Sequence, residues 1–286
     1  MTIDKAQQRR DIERFIQKMP SLSTTVGKVM EVCSRTDASP NELNKVVSLD
    51  PVLTGQVLKL INSAYYSLVN KVTTLTRAIT MLGMNTVKNM ALSTAIIKTV
   101  GGVKKSKVLP TTKFWQHSIG VGVSAKLLAA LHDMPIMERE GLFVSGLLHD
   151  LGKIPFGDEY IEVIKLVNKE QIPLIEAERA VMGIDHQEVG LMIAEKWKLN
   201  EEISVCIGQH HDVKAIGGDM AKRVGYVALG NLYINTLDIG YAGDAYPSEE
   251  ELTELLSFMN VTPQDFGSIR DTLQSEIHRA EMFLQI

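Results

Sequence analysis

Apolar side chains recur every third or fourth residue through nearly the whole chain. No run of alternating β-branched residues competes with them, so a sheet has nothing to be built from. Behind Pro20, Val26, Val29, Met30 and Cys33 keep the i, i+3, i+4, i+7 spacing of an amphipathic helix. Ser39-Pro40-Asn41-Glu42 offers a serine N-cap, a proline at the first helical position and a glutamate at the third, a capping box ahead of Leu43, Val46 and Val47. Asp50-Pro51 repeats the device before Leu53, Val57, Leu58, Leu60 and Ile61. Gly83 and Asn85 divide two further helices, over 75–82 and 87–100. The spacing then predicts helices over 114–131, 138–151, 159–170, 175–183, 186–197, 201–211 and 219–238. The tail from Pro247 opens on another capping box, Ser248 to Glu251, and keeps Phe266, Ile269, Leu273, Ile277 and Leu284 in helical register. The expected fold class is all-α.

The stretch 101–113 gathers two glycines, a proline and four lysines, the composition of a seam between helical units. Lys104, Lys105 and Lys107 are read there as a solvated linker rather than an anion site. The chain thus divides into an N-terminal helix or extension over 1–14, an N-terminal helical unit over 15–110, a helical core over 111–240 and a helical tail over 241–286. With 45% hydrophobic and 22% charged residues the chain is of a packed globular kind. A net charge of −4 supplies no basic field, which disfavours nucleic acid and anionic membrane surfaces as partners. Cys33 and Cys206, far apart and outside any CxxC spacing, fit two reduced thiols of a cytoplasmic protein. The charged N-terminus and the lack of a long uncharged apolar stretch argue against secretion and membrane insertion. In the N-terminal unit, Asn62, Tyr65 and Tyr66 are candidates for a surface offered to a protein partner, beside a purely structural role.

Five of the seven histidines form a series: His117, His149 followed by Asp150, His186, and the pair His210-His211. Imidazoles suit borderline transition metals such as Fe, Mn, Zn or Ni, and a carboxylate is needed to bridge two cations held a few ångströms apart. Asp150 is the candidate bridge. The series falls on four predicted helices, and bundle metal sites are built where such helices face one another. In FVSGLLHDLGK an ionisable pair follows directly on an apolar run, which costs several kcal/mol unless the charge is paired or metal-bound. A buried ion-pair network without metal is the competing reading. Neighbours at 149 and 150 point ~100° apart on a helix, so both reach one site only if that helix meets it nearly head-on. Lys153, one turn on, is either an ammonium beside the site, able to neutralise a phosphate, or a surface lysine at a helix C-terminus. His132 and His278 lie outside the series and are read as ordinary core or surface residues.

The blocks FWQHSIGVG, LLHDLGK, DHQEVG and GQHHD resemble the successive H, HD, H and HH motifs of the HD hydrolase superfamily. The resemblance is closer to one branch, the HDOD (HD-related output domain) proteins. It runs from LSTTVGKVMEVCSRTDASPNELNKVVSLDPVLTGQVLKLINSAYYS and AITMLGMNTVKNMAL through the HD block, over about residues 15 to 240. It implies an all-α HD-type fold and a bacterial signalling role tied to motility, chemotaxis or cyclic-dinucleotide pathways, with signalling proteins as partners. It also implies a family without dependable hydrolysis.

By the same resemblance, His117, His149, Asp150, His186, His210 and His211 match metal positions of the HD-GYP cyclic-dinucleotide phosphodiesterases. Lys153 matches a phosphate contact, and Asp150 and Lys153 are the candidate catalytic residues. Two positions depart: Lys113 stands where a glutamate is expected, and Asn231 where a closing aspartate is expected. DVKAIGGDM replaces the GYP loop. Asp150, His186, His210 and His211 then form one full ligand set, and the second has lost charge. Two divalent cations bring +4 against a single anionic ligand, so one metal per chain is expected. The leading expectation is a signal-output module with a structural or vestigial metal site. The alternative is a metal-dependent phosphohydrolase of nucleotides or cyclic dinucleotides.

Overall fold

The computed structural model describes residues 4–101, 108–245 and 249–285. Among them are fourteen α-helices, three short 3-10 turns and no strand, as the periodicity predicts. The elements are α1 (Lys5–Lys18), α2 (Thr24–Ser34), α3 (Pro40–Ser48), α4 (Pro51–Ile61), α5 (Leu75–Gly101), α6 (Thr111–Leu131) and α7 (Ile136–Leu148). There follow α8 (Tyr160–Glu170), α9 (Leu174–Val181), α10 (His186–Trp197), α11 (Glu201–Gln209), α12 (Gly218–Thr236), α13 (Glu249–Met259) and α14 (Pro263–Ala280). Gly83, at φ 81°, breaks α5 where a division was expected. Lys104, Lys105, Lys107 and Ser248 lie outside the described residues.

The N-terminal unit starts its helices as the prolines and caps dictate. Ser39 Oγ accepts the Glu42 amide at 3.2 Å and Asp50 Oδ1 the Leu53 amide at 2.9 Å. Only half of the predicted capping box at Ser39 forms, because the Glu42 carboxylate is drawn 2.7 Å from Arg35 instead. The reciprocal box occurs at Thr262 and Asp265, ahead of α14.

α6 is buried on nearly every side and carries α7, α12 and α14 around it. Backbone contact with α7 is made possible by Gly122 and Gly146: a Cβ at Gly146 would stand 2.6 Å from Gly122 Cα. The N-terminal unit joins this core through Tyr65 and Tyr66, and here the structure corrects the sequence reading. Tyr65 is buried against Phe143 and Phe283, and Lys126 Nζ reaches both its hydroxyl (3.0 Å) and Glu140 (2.6 Å). Tyr66 is half-buried beside Glu140. Asn62 is spent on the backbone of Leu58 and Val72. Tyr65 and Tyr66 thus belong to an internal seam, while Asn62 remains exposed. The tail folds back as α14 on α6, and one continuous apolar core runs from Ile12 to Phe283. Among the described residues no helix is long and apolar enough to cross a membrane.

Candidate metal centre

The expected helix over 138–151 ends early. α7 stops at Leu148, the next residues turn into a 3-10 segment over Leu151–Lys153, and α11 likewise stops at Gln209 just before His210 and His211. Both adjacent pairs therefore sit at a helix C-terminus, which resolves how neighbours reach one centre. The negative ends of two helix dipoles also face it, which favours a cation. His117 comes from the middle of α6, and His186 opens α10 behind its N-cap Asp185. Gly152 lets the turn approach α10: a Cβ there would stand 1.8 Å from the His186 carbonyl oxygen.

Asp150 lies at the middle, fully buried. Its Oδ2 is 3.3 Å from His149 Nε2 and 3.7 Å from His117 Nε2. Its Oδ1 is 3.6 Å from His186 Nε2 and 3.8 Å from His210 Nε2. Two triads of donor atoms result, His117-His149-Asp150 and His186-His210-His211, each within 4.8 Å. The sequence-predicted residues are thus brought together, with Asp150 between the two groups, as a bridging ligand requires.

The imidazoles are oriented from behind. Nδ1–H of His149 donates to Gly146 C=O at 2.7 Å, that of His210 to the carbonyls of Cys206 and Ile207 at 3.0 Å, and that of His186 to Glu178 Oε2 at 2.6 Å. These acceptors fix the tautomers and leave each Nε2 with its lone pair toward Asp150. His186 Nε2 and His210 Nε2 then face each other at 3.2 Å, a repulsive arrangement unless a proton or a cation lies between them. Five buried atoms of the cluster make no hydrogen bond: both nitrogens of His117, Nε2 of His149 and His211, and Oδ1 of Asp150. Native interiors rarely leave such groups without a partner. Neutral imidazoles converging with one carboxylate are the donor set that a first-row transition metal takes. The residues fit a metal.

Burial pushes His117 down to about 4 and His211 to about 3, and holds His210 well below the ordinary range, with neighbouring imidazoles adding to it. These rings stay neutral and ready to ligate. Burial acts the same way on His186, but Glu178 outweighs it and raises that ring. Asp150 is held well below the carboxylate range against its burial, by His149 and Lys153.

Lys153 settles its two readings in favour of the site. It is buried, with Nζ 2.8 Å from Asp150 Oδ2 and donating to Asp244 Oδ2 at 2.7 Å. Those carboxylates keep its ammonium above the ordinary lysine range against the pull of burial. Lys113, standing where the resemblance expects a glutamate, is exposed, and solvent screens its charge. Asn231 is buried beside His210 and His211, and its Oδ1 accepts from Asn235.

Sequence reasoning missed three residues. Glu178 is fully buried, receives both the main-chain N–H and Nδ1–H of His186, and is also bonded by the Tyr160 hydroxyl. Its signal was a carboxylate four residues after Leu174, on the apolar stripe of α9. Gln187 accepts the His211 amide at 3.0 Å and steadies the double-histidine turn. Asp244 arrives from a glycine-rich segment beyond α12 that carried no motif, and it pairs with Lys153.

An all-helical chain that gathers imidazoles and an aspartate from H, HD, H and HH blocks on one buried centre is a protein of the HD superfamily class. The HDOD domain model matches residues 19–213, and the chain belongs to that family. It is 26% identical over 266 residues to an uncharacterized protein of Treponema pallidum (strain Nichols), covering 91% of this chain and 50% of that protein. The chain thus spans about half the length of the curated relative it matches. Among solved structures it resembles an HDOD domain protein of unknown function from Geobacter sulfurreducens, with a TM-score of 0.77 and 24% identity over 99% and 100% of the two chains. It also resembles a structure from Marinobacter aquaeolei VT8, provisionally described as a signal transduction protein. There the TM-score is 0.70 and the identity 18%, over 99% of this chain and 65% of that one. These likenesses are of fold.

Proposed function

We propose that the chain is a cytoplasmic signal-output module of the HDOD type, whose His/Asp centre holds a transition metal for structure or sensing and hydrolyses phosphoesters poorly. One observation carries the reading: Lys153, the one buried Lys or Arg among the described residues, is already neutralised by Asp150 and Asp244. A phosphoester approaching the metal would meet no unpaired side-chain cation there to share its charge. Phosphoryl chemistry depends on concentrated charge held in place for the anionic transition state. When bound, the metal would be held by His117, His149 and Asp150 or by Asp150, His186, His210 and His211, and would supply Lewis acidity. Around it Glu178 orients His186, and Gln187 orients the turn of His211.

The neutral Asn231 adds no charge for a second cation, which favours one ion per chain. Partners on this reading are signalling proteins of cyclic-dinucleotide, chemotaxis or motility pathways, and self-association is compatible with it. The alternative, a metal-dependent phosphohydrolase, draws support from Asp150 standing between two histidine groups as a bridging ligand does. Metal-loaded protein assayed with Mn²⁺ or Fe²⁺ against phosphomonoesters, nucleotides and cyclic dinucleotides separates the two. The proposal expects negligible turnover, and Asn231→Asp should raise metal stoichiometry. Several turnovers per second, within the usual enzyme range of ~1–10³ s⁻¹, would establish the alternative.

A further inference from the structure

Beyond α12 the chain runs as an irregular strap over residues 237–245, with positive φ at Asp238 (53°), Gly240 (72°) and Gly243 (99°). Its first part is seated on α6. The Tyr241 amide donates to Lys113 C=O at 2.9 Å, Ala242 is buried, and a Cβ at Gly240 would stand 2.2 Å from the main-chain nitrogen of His117. Past Gly243 the strap turns over the centre and delivers Asp244 to Lys153. Asp244 and Ala245 then wall a cavity of about 30 Å³ shared with His211, Asn231 and Glu251, the scale of one or two waters.

The two carboxylates on Lys153 are not equivalent. Asp150 is three residues before Lys153 in the same tight turn, fully buried and fixed by the fold. Asp244 comes from far along the chain on a glycine-hinged segment without helical hydrogen bonding, and its side chain is 12% exposed. Asp150 stays on the ammonium when Asp244 leaves, so the position that Asp244 gives up is open to another anion. Phosphate oxygens accept from an ammonium as a carboxylate does. The wall nearby is acidic as well: burial and then Asp244, Asp212, Glu176 and Glu254 raise Glu251 above its ordinary range.

We propose that Gly243–Ala245 is a displaceable gate in which the Asp244 carboxylate occupies the anion position of Lys153, so that phosphate groups reach the His/Asp centre only when the gate has swung away. The proposal rests on the reading of the cluster as a metal centre for its purpose, but not for its test. The full chain is titrated with inorganic phosphate by calorimetry, as wild type, Asp244→Asn and Gly243→Val, each in metal-loaded and chelated form with the metal content measured. Gly243→Val keeps the carboxylate and strains only the hinge, where its Cβ would meet Ile164 and Leu174 at 3.2 Å. It therefore carries the test if Asp244→Asn does not fold. Both variants should bind phosphate at least ~10-fold more tightly than wild type, about 1.4 kcal/mol. Phosphate should also speed hydrogen exchange at the Gly243–Ala245 amides of the wild type. Phosphate affinities within about twofold across the three proteins would overturn the gate, since a tenfold change is only about 1.4 kcal/mol. Metal missing from all three would count against the metal centre alone, because the chelated forms still judge the gate.

Discussion

Replacing Glu178 by glutamine isolates the contribution of the residue behind His186. The carboxylate is fully buried and accepts two hydrogen bonds from His186, one from the backbone and one from Nδ1, with the Tyr160 hydroxyl as a third donor. Glutamine keeps the volume but has one acceptor oxygen: with that oxygen on His186, its amide N–H faces the Tyr160 hydroxyl, whose own O–H then loses its acceptor. Loss of a partner behind a metal-ligating histidine typically weakens metal binding ~10–100-fold, or about 1.4–2.7 kcal/mol. The metal-free fold should lose about 1–3 kcal/mol for an unsatisfied buried donor. For a chain of this size that is a fall in Tm on the order of 2–10 °C. The assay is competition against a chromophoric chelator, with Glu188→Gln, exposed on the helix of His186, as control. An Asp150-centred site that kept its metal affinity within about twofold in Glu178→Gln would refute the claim that Glu178 fixes the His186 donor, given the ~10-fold minimum expected.

Two further outcomes follow from the same geometry. In metal-free protein, His117 and His211 titrate near 4 and 3 in the fold, below their unfolded value, so the unfolded chain binds more protons between ~6.5 and ~4. Stability should be complete above ~6.5 and fall by on the order of 3 kcal/mol as the pH drops through that window, His186 acting with the opposite sign. A urea midpoint unchanged between pH 7.5 and pH 5 would contradict this. Gly146→Ala should destabilise by about 1–3 kcal/mol and weaken metal binding, because its Cβ meets the Gly122 backbone and pushes α7, which ends at His149, away from α6. Wild-type stability by urea unfolding would show that the helices do not approach so closely.

Much of the fold was legible because it rests on local physics. Caps at Ser39 and Asp50, prolines at first helical positions and the spacing of apolar residues placed nearly every helix within a few residues. What the sequence concealed was long-range. Tyr65 and Tyr66 read as surface because their partners, Glu140, Lys126 and Phe283, come from helices far along the chain. The early stop of α7 at Leu148 was hidden because His149 and Asp150 continue a helical pattern while serving the centre. The ligand series stood out because imidazoles after apolar runs are costly. Glu178 and Asp244 did not, one being a single acid on a helix stripe and the other an acid between glycines. Their proximity to His186 and Lys153 exists only in three dimensions.

The central claim is that the five imidazoles and Asp150 hold a metal. Metal analysis of protein purified without chelator or a histidine tag tests it most directly, read across wild type, His186→Ala, His211→Ala and the outlying His132→Ala. The account predicts about one first-row transition ion per chain in wild type and His132→Ala, and marked loss in the other two. Content below about 0.1 ion per chain with no uptake on reconstitution, or equal retention in all three variants, would contradict it.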